Sequence, residues 1–257
     1  MTKLFLLEES VDNLKFEEFQ EGLDDIILIK KEENDIFYKN NNINQLENYS
    51  ELYQNHSQEN QFRAKFLEQI NISNSNPKSI EELKMVFPDT PIGFMGINFP
   101  QLEIDKNLCV ENDDRFKEFK KYHLILLNHS NLFFLKEICF SNIIFCDNSE
   151  EQLKSFGNGK YFHQCVEQLS ILNEYLQNWS EGNFNYQNLN DSTEITLSPE
   201  SKTTMNKHFD KRVFSLPNGG TDIFELHIKL RDIRIHILED NVSKKIMVGY
   251  IGRHLPI

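Results

Sequence analysis

The chain has 257 residues, 39% of them hydrophobic and 21 of them Phe, which is enough for one large domain or two ordinary ones with packed cores and excludes wholesale disorder. A formal charge of −13 argues against a nucleic-acid footprint spread over the whole surface. Cys109, Cys139, Cys146 and Cys165 form no C-x-x-C pair, so free thiols in a reducing, cytoplasmic setting are expected. The apolar run Leu4 to Leu7 is closed by Glu8 and Glu9, too short for a signal segment. The stretch Leu124 to Cys146 is broken by Asn128, His129, Lys136 and Glu137, short of the roughly 18 apolar residues a membrane span needs. No membrane partner is expected.

Charge is unevenly distributed. Residues 1–200 carry 17 Lys+Arg against 34 Asp+Glu, a net of −17, whereas residues 201–257 carry 10 against 6, a net of +4.

Taken in chain order, the pattern predicts a mixed α/β body over residues 1–182 and a linker plus antiparallel β module over 183–257, an α+β fold overall. The body opens with a short strand, an amphipathic stretch through Leu14, Phe16, Phe19 and Leu23, and a strand at Ile26 to Ile29. Residues 30–48, dense in Asn, Lys and Glu, read as a surface loop or hairpin. A helix is expected over 51–69, with Phe62, Phe66 and Leu67 inward. Ser79 and Glu82 have capping-box spacing and open a short helix ending before Pro88. The run Pro91 to Pro100 contains Gly93 and Gly96 without nucleotide-loop spacing and reads as a tight or bulged strand. Residues 115–122 suit a helix. Leu124–Leu127 and Ile143–Cys146 read as buried strands, and Leu132–Cys139 is ambiguous.

The clearest helix lies near 159–179, where Phe162, Cys165, Val166, Leu169, Leu172, Leu176 and Trp179 recur at three- and four-residue spacing. Cys165 and His163 read there as packing and surface groups. Ser149 and Gln152 offer a cap just upstream. The Asn-rich stretch 180–191 with Gly182 is the expected domain junction.

Beyond the junction the period changes to two. Phe224, Leu226, Ile228 and Leu230 alternate with Glu225, His227, Lys229 and Arg231; Ile233, Ile235 and Ile237 alternate with Arg234 and His236. Each strand thus presents an apolar row to a core and a polar, largely basic row to the other face. A third strand, Ile246 to Ile251, ends in Gly252-Arg253-His254, and Pro217-Asn218-Gly219-Gly220 marks a turn after a short strand at Arg212 to Phe214. An antiparallel meander brings His227, Lys229, Arg234 and His236 together, with Arg253 and His254 able to close the patch.

Imidazoles exchange protons near neutrality, and Arg and Lys hold phosphate oxygens. The candidate catalytic residues are therefore His227, Arg234, His236 and His254, with Lys229, Arg212 and Arg253 as phosphate ligands. Glu225 is the most economical carboxylate partner and Glu200 a further one. A metal trio of His227, His236 and His254 lacks conventional ligand spacing, so neither a metal nor another cofactor is expected. Three uses of the patch stay open: catalysis, binding of a ligand or nucleic acid, and a solvated or partner-facing surface.

The segments Phe224-Glu225-Leu226-His227-Ile228-Lys229, Asp232-Ile233-Arg234-Ile235-His236-Ile237 and Lys245 to His254 resemble the end of the small RelE/HigB-like toxin fold. The resemblance covers 40 to 50 residues, with Arg234 matching the arginine that opens the second strand and Gly252 with His254 the ending of the third. It implies a curved antiparallel sheet and a metal-independent mRNA endoribonuclease surface of His, Arg, Lys and Tyr. Such toxins are small and basic, whereas this chain is long and acidic. The implied function is an accessory or effector protein whose C-terminal sheet binds RNA or another phosphate-containing partner and acts as an endoribonuclease. The alternative is a non-enzymatic protein–protein interaction component of a bacterial stress or phage-defence (antiviral) complex. A homo- or hetero-oligomer suits either.

Overall fold

The computed structural model describes residues 2–257 except 33–34, 89 and 100–102. It divides into two compact units, one of residues 1–126 with 137–139, the other of 127–136 with 140–257. Both mix helices and strands. The division therefore falls near 126/127 and not at 182/183, and the long amphipathic helix belongs with the C-terminal sheet.

In the first unit the elements run β1 (Lys3–Leu6), α1 (Phe16–Ile27), β2 (Ile36–Asn40), α2 (Glu47–Gln54), α3 (Gln58–Gln69), β3 (Asn71–Ser73), α4 (Ile80–Val86), β4 (Ile92–Met95), β5 (Cys109–Val110) and α5 (Asp113–Ile125). The five strands form a wholly parallel sheet in the order β3-β2-β1-β4-β5. A parallel sheet covered on both faces needs apolar residues at successive positions. Leu4, Phe5, Leu6 and Leu7 are all fully buried for that reason. Phe5 and Leu7 pack with Leu83, Phe87, Ile92 and Phe94.

Several local expectations change. Ile26 and Ile27 end α1 and are not a strand. Residues 30–48 conceal β2, whose Phe37 and Lys39 are buried. The predicted 51–69 helix is two helices broken at Asn55, and Phe62 is 60% exposed while Ala64 and Leu67 face inward. Leu124 and Ile125 belong to α5, with Ile125 81% exposed, so no strand forms there. Ser79 does cap α4, its side chain accepting from the Glu82 amide. The predicted strand through Gly93 forms as β4, whereas Pro100 lies outside the described residues.

In an open parallel sheet, the crevice beyond the carboxyl ends of the strands where the order reverses is the usual ligand site. Here that point lies between β1 and β4, and the chain fills it with its own loops. The Asn98 amide donates to the Ser10 carbonyl at 3.1 Å, and the Ser10 hydroxyl donates to the Leu7 carbonyl at 2.6 Å. A Cβ on Gly96 would lie 1.9 Å from the Ser10 Oγ.

The second unit contains β6 (Ile143–Phe145), α7 (Ser149–Ser155), α8 (Lys160–Leu176), α9 (Tyr186–Ser192), β7 (Leu197–Pro199), α10 (Lys202–His208), β8 (Val213–Ser215), β9 (Thr221–Ile223), β10 (Leu226–Lys229), β11 (Ile233–Asp240) and β12 (Lys245–Arg253). A further helix, α6 (Leu132–Cys139), crosses the division between units. The main sheet has the order β6-β12-β11-β10-β7, antiparallel except at β6–β12, and β8–β9 is a separate hairpin. The expected meander is thus β10–β11–β12, but helices make this unit mixed and not a pure sheet. The α8 residues Phe162, Cys165, Leu169, Leu172 and Leu176 are buried as the spacing requires. The Asn-rich stretch 180–191 is no junction. The Phe184 amide donates to Asn241 Oδ1 at 2.7 Å, and the Lys244 ammonium sits 4.9 Å from the Trp179 ring centre, pinning the segment to the β11–β12 turn. Among the described residues no helix is long and apolar enough to cross a membrane.

Because Gly96 permits the close approach of the two loops, Gly96→Ala forces Ser10 aside and is expected to cost about 1–3 kcal/mol. Chemical denaturation checks this; adding Ser10→Gly should recover part of the loss.

Candidate functional site

Residues directly opposite one another in antiparallel strands project to the same face. The register places Ser198, His227, His236 and Tyr250 in one row across β7, β10, β11 and β12. Ring centres are 5.2 Å apart for His227 and His236 and 5.8 Å for His236 and Tyr250. The next register position pairs Lys229 with Arg234. Ile228, Ile235 and Ile251, one residue out of step, are buried on the opposite face. The alternation in the sequence therefore does separate an apolar and a polar face, and it brings His227, His236, Lys229 and Arg234 to the latter.

This polar face is roofed, contrary to the expectation of an open basic surface. His227 is 4% and His236 1% exposed. Residues 200–224 fold back over them: Phe214 stacks on Tyr250 at 5.8 Å, and the Phe224 carbonyl meets His236 Nδ1 at 3.0 Å. Gly249 makes room for the roof, since a Cβ there would lie 2.8 Å from both Phe214 and Phe224. It occupies the bulge at which the β11–β12 register shifts, a device that re-aims neighbouring side chains.

Arg212 is a correction of a different kind. It is completely buried and not free to take a phosphate: its Nε and Nη2 donate to Glu200 Oε1 at 3.0 and 2.8 Å, and its Nη1 donates to the His208 carbonyl at 3.3 Å. Glu200, a secondary choice from sequence, is the carboxylate of the site, with Oε1 3.9 Å from His227 Nδ1. Glu225 is exposed and forms no ion pair with Lys229 among the described residues. Arg234 Nη1 donates to the Leu230 and Ile233 carbonyls at 2.6 and 2.9 Å, closing the β10–β11 turn. Arg253 and His254 are exposed, and His254 Nδ1 meets the Leu255 carbonyl at 2.7 Å. Among the described residues no hydrogen bond or ring contact joins His254 to the imidazole pair. Ser198 was missed because the three-residue β7 is too short to show a period, and Tyr250 because its facing depends on the bulge.

The electrostatics follow from burial. Burial lowers the His236 pKa to about 4 against the counter-effect of the Phe224 carbonyl, so its ring is neutral near pH 7. Burial also lowers that of His227, with Glu200 pulling the other way. Burial would raise Glu200, but hydrogen bonds from Arg212 and its charge outweigh that and hold the carboxyl below its usual range. The site is thus an ionised carboxylate held by a guanidinium beside two neutral imidazoles. His227 Nδ1 has no hydrogen-bond partner among the described residues. Such a set can accept a proton on an imidazole, with the ionised Glu200 carboxylate beside it to stabilise the cation formed.

Comparison of the chain with models of known protein families, with curated proteins and with solved structures finds no match.

Arg212→Leu strands a buried carboxylate and is expected to cost about 3–5 kcal/mol in denaturant unfolding, whereas Arg212→Leu with Glu200→Leu should recover most of it. The imidazoles set a pH dependence. An unfolded His binds a proton near its ordinary value of 6.5, folded His236 only near 4, so between those values the unfolded chain holds more protons and stability falls with pH. Stability should be full above about pH 6.5 and decline toward pH 4 by on the order of 3 kcal/mol. Urea melts across that range should show the decline in wild type and a flatter profile in His236→Asn.

Proposed function

We propose that the C-terminal sheet binds RNA and cleaves it without a metal ion. The observation that carries this reading is the register row of His227 and His236 on one sheet face with Glu200 3.9 Å from His227. In this reading His227, backed by the Glu200–Arg212 pair, takes the proton from a ribose 2′-hydroxyl. That oxygen attacks the adjacent phosphorus, and the 5′-oxygen leaves with a proton from solvent or the Tyr250 hydroxyl. His236, fixed by the Phe224 carbonyl, presents Nε2 beside it. Exposed Lys229, with Arg234 opposite, supplies positive charge for the phosphate as negative charge builds on its oxygens. The antiparallel run β10–β11–β12 also suits the resemblance to RelE/HigB-like toxins.

Substrate reaches the imidazoles only when the β8–β9 hairpin moves aside. Its three β9 residues are exposed, and Phe214 supplies a ring contact to the sheet beneath. The function then belongs to an effector whose active face is covered in the resting chain.

Purified protein incubated with single-stranded RNA in excess chelator should yield fragments ending in 2′,3′-cyclic phosphate. His227→Gln should slow this by about 100-fold or more, and Lys229→Ala should weaken binding and reduce its salt dependence by about one phosphate contact. Intact RNA together with salt-insensitive or absent binding would rule the reading out.

A further inference from the structure

We propose that Glu200, His227 and His236 form a binding site for a divalent transition-metal ion, with zinc as the reference ion. Each residue offers one donor atom, and the three donors lie within 4.8 Å of one another. Tetrahedral zinc with nitrogen and oxygen ligands at about 2.0–2.2 Å places its donors roughly 3.4 Å apart. Closing that gap requires rotation of the side chains.

Three independent details suit a metal. A ligating histidine ordinarily donates its second ring N–H to a carbonyl or carboxylate, which fixes the tautomer; His236 Nδ1 lies 3.0 Å from the Phe224 carbonyl, leaving Nε2 as the donor. His227 is 4% exposed, and its Nδ1, aimed toward Glu200, has no hydrogen-bond partner among the described residues. A buried polar atom without a partner is costly, and metal coordination removes that cost. Finally, Arg212 engages Glu200 through Oε1 alone, so Oε2 keeps a lone pair for the ion.

The donor set selects the ion. Two imidazoles and one carboxylate suit zinc, cobalt or nickel, whereas magnesium and calcium demand more oxygen ligands. Three protein ligands also leave a fourth position open. Arg212 already neutralises Glu200, so a dication enters a site of zero net charge. Where the proposed cleavage holds, bound zinc takes the nitrogen lone pairs that cleavage uses and silences it; metal binding itself does not depend on that reading.

The test uses the full chain, stripped with chelator and desalted, and Co²⁺ as the probe. Wild type should develop the visible absorption of four-coordinate Co²⁺ and lose it to added Zn²⁺. Zn²⁺ should also raise the melting temperature. His227→Gln and His236→Gln should each lose at least about tenfold in affinity, and His254→Gln should match wild type. No Co²⁺ band in wild type, or an equal loss in His254→Gln, overturns the site. Should the buried variants fail to fold, zinc-edge X-ray absorption of wild type decides: two imidazoles in the coordination sphere support the site, none overturns it. A protein that binds metal but leaves RNA intact when assayed in excess chelator sinks the cleavage reading alone; RNA cut in chelator by a protein that binds no metal sinks this one alone.

Discussion

A guanidinium removed from water needs an anion at hydrogen-bonding distance, and the second unit is arranged around that requirement. Arg212 is fully buried and its anion is Glu200. The two hydrogen bonds of this pair join the segment leaving β7 to the turn that enters the β8–β9 hairpin. The eleven residues between them, 201–211 with α10, are thereby closed into a loop. The ion pair is a weak source of net stability, since desolvation offsets much of the attraction. Its effect is positional: with the pair in place the carboxylate is held beside His227.

The roof depends in turn on the sheet beneath it. Phe214 and Phe224 reach the polar face only because residue 249 has no side chain, and Tyr250 turns toward His236 only because the bulge at that residue resets the register. These features act together. A row of polar side chains that would otherwise be solvated becomes a low-dielectric chamber in which imidazoles stay neutral and a carboxylate stays charged. Groups whose titration is pushed away from ordinary values beside a specific charge partner mark functional sites more often than chance, although structural ion pairs do the same.

Much of this chamber was legible in the sequence and the decisive part was not. Period-two alternation over 224–237 is a local signal, and it led directly to the grouping of His227, Lys229, Arg234 and His236 on one face; which of them pair is set by the register. The helix through Phe162 and Leu176 was legible for the same reason. The burial of the histidines was not, because it comes from residues 200–224 folding back, and nothing periodic announces a strap. Arg212 and Glu200 lie twelve apart with a turn of chain between them, so their union is a tertiary fact. The parallel sheet of the first unit suffered likewise: β2 carries Lys39 and Asn40 among its five residues and reads as loop. Its strand character comes from two parallel neighbours that the local pattern cannot display.

Charge distribution gives the arrangement its last physical consequence. A chain with a net of −17 over its first 200 residues repels polyanions over most of its surface, so phosphate can be held only where cations are local. On the polar face of the sheet those are few: Lys229 is exposed, Arg234 is partly committed to the turn carbonyls, and Arg212 is neutralised by Glu200. Long-range steering is therefore not the route to affinity, because the wider field opposes it and is screened within about a Debye length. Under the proposed reading, recognition of RNA on this face comes from short-range contacts made once the hairpin has moved. That ties binding to the cost of lifting Phe214 and Phe224 from the sheet. Under the proposed RNA cleavage, a site built in this way is quiet by default, and its activity would be set by whatever stabilises the lifted hairpin.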